Sequence, residues 1–282
     1  MSAVSAVSAM STMSTVTAPE RWRALRARLE AELGEAITID ALTRDWSIAQ
    51  RAAGHRHSVD DVLTAAHALR EVCAPERVLD VLDLGTGIGG VGLLMLWGLP
   101  RARLLCIEAQ AISHRLLLAN IEGNELGARV TPRLGDLREL DEPRRFELVT
   151  GSPPYFPLGT GIVPADAQKA HARFELRGDV GDYARAAARC LADDGMFVFC
   201  FPTAQRERAL AAVAAAGLWA AAYRDVIPRR GLAPLFTLFV CERAAAGRAG
   251  ACTIDPPFVV RDEAGAITAE MQAVRASFGF AP

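Results

Sequence analysis

Short apolar runs alternate with amphipathic segments along the chain from residue 77 onward. The runs are rich in Val, Leu, Ile and Phe, which is typical of strands buried on both faces of a parallel sheet, and the segments between them predict helices. Seven strands are predicted, over residues 77–84, 103–107, 130–134, 146–150, 196–201, 219–227 and 235–242. Helices are predicted near 91–99, 111–123, 181–192 and 204–216. This order predicts an α/β fold with a seven-stranded, mostly parallel sheet and helices on both faces.

The first 69 residues have a different pattern. Residues 1–18 repeat small and hydroxyl-bearing residues without any charge, and they predict a disordered low-complexity tail. Residues 19–33 predict a helix with Pro19 in its first turn and Gly34 at its end. We therefore divide the chain into this tail, an N-terminal helical addition over 19–69 and an α/β domain over 70–282.

Composition narrows the class of protein. Of the 282 residues, 51% are apolar and 23% are charged, as in an ordinary globular chain. The net charge of −2 excludes a protein that is uniformly coated in positive charge, although a local basic face remains compatible with it. No run approaches the ~18 apolar residues of a membrane span, and the N-terminus lacks the basic region of a secretory signal. A cytoplasmic location without membrane contact is predicted.

The spacing of cysteines and histidines does not predict a metal site. No two of the six cysteines are separated by only two residues, which excludes a zinc ribbon or a redox pair, and we expect reduced thiols. His55 and His57 flank Arg56, but no cysteine lies at ligand spacing from them.

A glycine-rich turn follows the first strand of the α/β domain. Gly85, Thr86, Gly87 and Gly89 form this turn, and Asp83 lies just before it in the strand. Glycines let the backbone approach a ligand closely, and the following helix presents unpaired N–H groups to it. The turn predicts a nucleotide, dinucleotide or S-adenosylmethionine site at the ends of the parallel strands.

Two acidic residues at the ends of the next strands narrow the ligand class. Glu108 ends the second strand, where a carboxylate can accept hydrogen bonds from both ribose hydroxyls, and Asp136 follows the third strand, where it can meet an adenine amino group. Together they predict a ligand that contains adenosine.

The end of the fourth strand reads Ser152-Pro153-Pro154-Tyr155. The two prolines fix the backbone and leave carbonyl oxygens free, and an aromatic ring follows at once. Such a set can hold a planar amine, because its oxygens accept the amine hydrogens while the ring stacks on its face. Acceptors placed in this way favour the nitrogen as it attacks a sulfonium methyl.

These motifs resemble those of class I S-adenosylmethionine-dependent methyltransferases, in particular the amino-methylating group with (Asn/Asp/Ser)-Pro-Pro-(Tyr/Phe/Trp). Among them, the chain looks most like the bacterial tRNA (adenine-N6)-methyltransferase family. Further segments that resemble this family are 38–40, Gln50, 54–60, 62–66, a C-terminal strand near 257–260 and a helix near 267–271. The resemblance covers about residues 37–282.

The resemblance implies a Rossmann-like methyltransferase fold and S-adenosylmethionine as cofactor. It also assigns roles by position: Gly85, Gly87 and Gly89 line the cofactor loop, Glu108 binds the ribose, Asp136 lies near the adenine, and Ser152, Pro153, Pro154 and Tyr155 hold the target amine. Residues 159–173 are expected to form a loop over the pocket. Catalysis would rest on positioning and electrostatics, with neither a metal nor a covalent intermediate.

Ser152 departs from the pattern of the nucleic-acid members of this group, which usually have Asn there. A hydroxyl is shorter than a carboxamide and offers a different acceptor geometry. The first hypothesis is methylation of adenine N6 in tRNA or another RNA. The alternatives are a protein amide, a small metabolite as acceptor, or a non-catalytic module that only binds the cofactor.

Overall fold

The structure is a computed structural model, and it describes residues 17–77, 79–143, 145–244 and 251–281. An eight-stranded sheet forms its centre, with the strands in the spatial order β10-β8-β9-β7-β6-β3-β4-β5. The strands are β3 Asp80–Leu84, β4 Arg103–Glu108, β5 Val130–Leu134, β6 Phe146–Gly151, β7 Leu191–Pro202, β8 Leu218–Ile227, β9 Phe236–Arg243 and β10 Thr253–Val259. All pairings are parallel except those of β9, which runs antiparallel to both β7 and β8.

The prediction of seven strands is wrong by one, because β10 adds an eighth at the edge of the sheet beside β8. Most side chains of β10 are exposed, and the strand contains Pro256 and Pro257, which interrupt its register with β8 between Asp255 and Phe258. Proline cannot donate to a ladder and is confined to edge strands, so the hydrophobic pattern did not predict this strand. The family resemblance alone had indicated a strand near 257–260.

Helices cover both faces of the sheet, as predicted. The α/β part contains α3 Gly90–Gly98, α4 Ala111–Gly123, α5 Ala167–Arg173, α6 Val180–Cys190, α7 Arg206–Ala215 and α8 Ala269–Ser277. Successive strand residues point to opposite faces. Val81 therefore joins a core with α3 and α4, whereas its neighbour Leu82 joins a second core with α6 and α7.

The region before β3 contains α1 Ala18–Leu33, the antiparallel hairpin β1 Ile37–Ala41 with β2 Ser47–Arg51, and α2 Val59–Glu71. The hydrophobic pattern had not predicted the hairpin. Helix α1 begins at a capping box of Thr17 and Glu20, carries Pro19 in its first turn, and ends at Gly34 in the left-handed conformation, as its sequence predicted. The low-complexity tail, apart from its last two residues, lies outside the described part of the chain.

Side chains of this first region share the core of the sheet's first face. Leu29, Ile37 and Ile48 are fully buried in the same cluster as α3 and α4. The side chain of Asn120 on α4 strengthens the junction: its Oδ1 accepts from the Ala49 N–H at 2.6 Å, and its Nδ2 donates to the Ile88 carbonyl at 2.8 Å. Because Ile88 lies in the glycine-rich turn, the hairpin and the turn are held to one helix.

Strands β3 to β7 end at one edge of the sheet, which we call the carboxyl edge. Strand β8 ends there as well, because two antiparallel pairings separate it from β7. Ligands of parallel α/β sheets bind at this edge. Among the described residues no helix has the length and apolar character that a bilayer span requires. Each of the six cysteines is a free thiol, and only Cys73 and Cys252 are exposed.

Candidate functional site

The glycine-rich turn links the end of β3 to α3 in a conformation that only glycine adopts readily. Gly85 and Gly87 have φ of 60° and Gly89 has φ of 96°, all in the left-handed region. A side chain at Gly85 would also collide with the hydroxyl of Tyr183, which α6 places beneath the turn. Gly85 is therefore required both by its backbone angle and by the space around it.

Asp83 is buried beneath this turn and connects three elements. One carboxylate oxygen accepts from the Thr86 hydroxyl at 2.5 Å and from the Gly92 N–H of α3 at 3.1 Å. The other oxygen accepts from the Thr150 hydroxyl of β6 at 2.7 Å. Burial raises the pKa of Asp83 to about 6. Its contacts hold the turn, the start of α3 and the end of β6 in a fixed relation.

Glu108 ends β4 with its carboxylate in the cavity beside the turn. It accepts from the Gly87 N–H at 2.8 Å and from the Gln110 N–H at 2.7 Å. Burial raises the pKa of this carboxyl despite these two donors. An ionised carboxylate has about four lone-pair positions, so two remain for a ligand.

Asp136 follows β5 and faces the same cavity. It caps the short 3₁₀ helix Leu137–Glu139, and the side chain of Arg138 donates to both of its oxygens. The hydrogen bond from Arg138 holds the pKa of Asp136 below its usual range. Asp136 is therefore a carboxylate at neutral pH.

The cavity at the carboxyl edge has a volume of about 120 Å³ and opens to solvent. Eight of the eleven predicted site residues line it: Asp83, Gly85, Thr86, Gly87, Glu108, Asp136, Ser152 and Pro154. Gly89 packs instead against side chains of α3 and α4, Pro153 is buried, and Tyr155 packs against the core outside the cavity lining.

Several lining residues were not predicted from the sequence. His55, Arg56, His57 and Asp61 come from the segment that leads into α2, and it was only their family resemblance that drew attention to this segment. Gln50 holds the segment, because its Oε1 accepts from the His57 N–H at 2.7 Å. Among the described residues no group of three or more His, Cys, Asp or Glu side chains is arranged to hold a metal ion.

Helix α5 covers part of the cavity, where we had predicted a loop over residues 159–173. The correction concerns the second half of that segment, since Ala167–Arg173 is helical with Asp166 as its N-cap. Gln168 of α5 is almost fully buried. It accepts from the His55 N–H at 3.1 Å and donates to the Ser113 hydroxyl of α4 at 3.1 Å. These contacts join α5 to the opposite wall of the cavity.

Two of the four residues after β6, Ser152 and Pro154, line the cavity beside the turn. Ser152 is partly buried, and its Oγ accepts a hydrogen bond from the Cys200 thiol of β7 at 3.6 Å. The ring of Tyr155 meets Phe201 edge to face, with centroids 6.2 Å apart, and its carbonyl accepts from the Gln205 side chain at 2.7 Å. The motif is thus fixed to β7 and to the segment that follows it.

Comparisons with known proteins agree with this architecture. No family model matches the chain. It is 38% identical over 126 residues to a release factor glutamine methyltransferase of Bordetella pertussis, with 43% of this chain and 42% of that protein covered. It is 28% identical over 178 residues to a tRNA1(Val) (adenine(37)-N6)-methyltransferase of Pasteurella multocida, with 62% of this chain and 71% of the relative covered. The match to the first relative thus spans less than half of that protein.

Among solved structures, a class I S-adenosylmethionine-dependent methyltransferase from Listeria monocytogenes superposes with a TM-score of 0.54 at 13% identity, over 94% of this chain and 80% of that one. At such low identity the superposition bears on the fold alone. The chain has the Rossmann-like fold of class I methyltransferases, as its sequence predicted, with eight strands in the main sheet.

Proposed function

We propose that this protein transfers the methyl group of S-adenosylmethionine to an amine nitrogen, and that adenine N6 in tRNA or another RNA is the acceptor. One observation carries the proposal: Ser152 and Pro154 line the same cavity as the glycine-rich turn and the carboxylates of Glu108 and Asp136. Oxygen atoms that can accept hydrogen bonds from an amine therefore lie next to a binding site that fits an adenosine-containing molecule. The named relatives support the same class of reaction.

The residues of the cavity fit this cofactor. Glu108 has lone pairs free for two ribose hydroxyls, and Asp136 is an ionised acceptor for the adenine amino group. The left-handed glycines bring the backbone close to the ligand without Cβ atoms in the way. S-adenosylmethionine supplies an electrophilic methyl group on a sulfonium centre, and the carboxylates around the cavity favour its positive charge.

On the acceptor side, the chain binds and orients the amine. Ser152 Oγ has two lone pairs, one of which faces Cys200, so one remains for an amine hydrogen. The backbone carbonyl oxygens of the motif can accept a hydrogen bond from the second amine hydrogen. Proline lacks a backbone N–H, but it keeps its carbonyl oxygen as an acceptor. These bonds strengthen as the nitrogen becomes cationic, so they stabilise the transition state more than the bound substrate. The nitrogen would gain the methyl group as the S–CH₃ bond breaks, and S-adenosylhomocysteine would be left. One amine hydrogen would leave as a proton to the solvent that reaches the open cavity.

Cations at the carboxyl edge support a nucleic-acid acceptor. Arg173 of α5 is exposed beside the cavity, and Lys169 lies on the same helix. Arg229 and Arg230 follow the end of β8 at the same edge. Lys and Arg side chains that flank a site in this way suit phosphates on either side of a bound base. A tRNA substrate would also place the protein in the cytoplasm.

A protein amide is the second candidate acceptor. The observation in its favour is the higher identity, over a shorter stretch, to the relative named as a release factor glutamine methyltransferase. A glutamine side chain also presents a planar amide nitrogen, so the same oxygen acceptors would serve it.

The experiment is a methyl-transfer assay with labelled cofactor against bulk tRNA, release factors and a metabolite extract, followed by nucleoside and peptide mass spectrometry. We expect N6-methyladenosine in the tRNA fraction and its loss in Ser152→Ala. Methyl-glutamine in the protein fraction would replace RNA as the acceptor. Cofactor binding without transfer to any pool would leave only a binding module, and failure to bind the cofactor would reject the proposal.

A further inference from the structure

The first turn of α2 brings a carboxylate to the acceptor motif. Oδ2 of Asp60 accepts a hydrogen bond from the Tyr155 hydroxyl at 3.2 Å, between residues that lie 95 positions apart in the chain. No sequence motif pairs these two residues. The contact links the region before β3 directly to Ser152–Tyr155.

The Tyr155 hydroxyl is also within hydrogen-bonding distance of Cys200 Sγ, at 3.3 Å. With the tyrosine proton on Asp60, the single thiol proton of Cys200 can go either to the Tyr155 hydroxyl oxygen or to Ser152 Oγ. Both ends of the four-residue motif thus contact the same buried polar groups. In such networks each group orients its neighbour, and removal of one member leaves the next without its partner.

Capping of α2 does not require Asp60. Ser58 is the N-cap, and Asp61 closes the capping box by accepting from the Ser58 N–H at 3.1 Å. Asp61 also contacts Nδ1 of His57 at 3.0 Å. The Ser58 hydroxyl donates to the other oxygen of Asp60, which fixes the carboxylate and directs its Oδ2 toward Tyr155. The carboxylate of Asp60 is therefore held in an orientation in which it bonds to the acceptor motif and not to the helix cap.

We infer that Asp60 is a positioning residue of the acceptor site, which holds the Tyr155 hydroxyl and thereby fixes the segment whose Ser152 and Pro154 line the cavity. This inference rests on the proposed function. Asp60 acts through Tyr155 and touches neither the cofactor nor the reacting nitrogen. Phe201 packs against the ring, and the hydrogen bond to Asp60 fixes the position of its hydroxyl end.

The test is a double-substitution cycle in the full-length protein with Asp60→Ala, Tyr155→Phe and both together. Each single change is expected to lower kcat about tenfold, the effect of one lost buried hydrogen bond, with the cofactor dissociation constant unchanged. Because both changes remove the same bond, the double variant should be no slower than the slower single variant. Multiplicative effects on kcat would overturn the inference.

Asp60→Asn separates positioning from charge. The amide oxygen of asparagine still accepts from Tyr155, so this variant should keep kcat within about threefold of the wild type. If Asp60→Asn folds normally but is as slow as Asp60→Ala, positioning through a hydrogen bond is the wrong explanation. Glu71→Ala, which removes a carboxylate from the other end of α2, is the matched control and should leave kcat unchanged.

An NMR measurement that does not depend on methyl transfer tests this inference separately from the proposed function. With ¹³C-labelled tyrosine, the ring signal of Tyr155 is assigned by its loss in Tyr155→Phe, against only two other tyrosines. Asp60→Ala should shift or broaden this signal, whereas Asp60→Asn and Glu71→Ala should not. An unshifted signal in Asp60→Ala would overturn the inference even if the wild type methylates tRNA. A shifted signal in a protein that methylates nothing would reject the proposed function instead.

Discussion

Gly85 occupies a position where backbone angle and neighbouring atoms both exclude a larger residue. Its φ of 60° is strained for any other residue except Asn or Asp, and a Cβ atom there would meet the Tyr183 hydroxyl. Gly87 has the same φ, but a Cβ atom there would meet open space. A substitution at Gly85 would therefore cause both backbone strain and a steric collision, whereas a substitution at Gly87 would cause backbone strain alone.

Gly85→Ala should lower the free energy of unfolding by about 1 to 3 kcal/mol and weaken cofactor binding. Gly87→Ala carries the conformational strain alone, so its loss of stability should be smaller. Urea denaturation of both variants, with calorimetry for the cofactor, measures the difference. Equal losses of stability would show that Tyr183 yields to the added methyl group.

Glu108 is the side chain that the proposed function most directly assigns to the ribose. Glu108→Gln keeps one oxygen acceptor but replaces the other with an amide donor, which cannot accept from a hydroxyl or from the Gly87 N–H. The cofactor dissociation constant should rise at least about tenfold by calorimetry. Glu122→Gln, on the exposed end of α4, is the control. An unchanged constant in Glu108→Gln would remove Glu108 from the cofactor site.

At the scale of elements, α2 serves both the site and the stability of the molecule. Its first turn places Asp61 in the cavity lining and Asp60 against Tyr155, and its middle buries His67 near the edge strand β10. Nε2 of His67 is buried and has no hydrogen-bond partner among the described residues. Burial lowers the pKa of His67 to about 3. The nearby cations Arg70 and Arg224 lower this pKa further, and the carboxylate of Asp255 raises it.

This histidine predicts a dependence of stability on pH. Its ordinary pKa is 6.5, so between pH 6.5 and about 3 the unfolded chain binds a proton that the folded protein does not. Stability should therefore fall as pH decreases through this window, by at most about 1.4 kcal/mol per pH unit from this group. Asp83, with its raised pKa of about 6, contributes with the opposite sign between 3.8 and 6.

His67→Leu isolates the contribution of the histidine, because Asp83 is unchanged in that variant. Its free energy of unfolding should decrease less between pH 7 and pH 5 than that of the wild type. Denaturant titrations at both values measure the two slopes. Parallel slopes would show that His67 titrates normally in the folded protein.

Tertiary contacts hold helix α5 and strand β10 in place. Arg51 of the hairpin donates to Asp166 at 2.8 Å, and Gln168 bonds to both walls of the cavity. These partners lie far away in sequence, so no local pattern indicated a helix there. Strand β10 contains two prolines and, as an edge strand, pairs with β8 alone.

At the scale of the whole molecule, the direction of the strands decides at which edge of the sheet the arginines that flank them lie. The chain has a net charge of −2, yet Arg229 and Arg230 lie at the carboxyl edge together with the site. Arg101 precedes β4 and therefore lies at the opposite edge. A protein of nearly neutral charge can still present cations to a phosphate backbone on one side.

Replacement of both Arg229 and Arg230 by Ala should raise KM for tRNA several-fold and leave the cofactor dissociation constant unchanged. The slope of log KM against log salt should decrease in magnitude by about 1 for each phosphate contact that is lost. Arg101→Ala should alter neither quantity. Unchanged KM and salt slope in the double variant would exclude this edge from RNA contact.

The sequence by itself determined the α/β class, the glycine-rich turn and the residues at the ends of successive strands. These features are local, because strand periodicity, left-handed glycines and consecutive prolines express backbone preferences within a few residues. The convergence of Asp83, Glu108, Asp136 and Ser152 on one cavity also followed, since parallel strands end at a common edge.

The tertiary structure alone decided which distant side chains complete the site. The contact of Asp60 with Tyr155, the position of Tyr183 beneath Gly85 and the role of Gln168 in covering the cavity each join segments far apart in the chain. Such pairings arise from the packing of helices on the sheet. The sequence around a polar residue in a helix does not indicate which distant residue it will contact. Side-chain contacts of this kind depend on the whole fold, whereas turns and strands depend on the residues that form them.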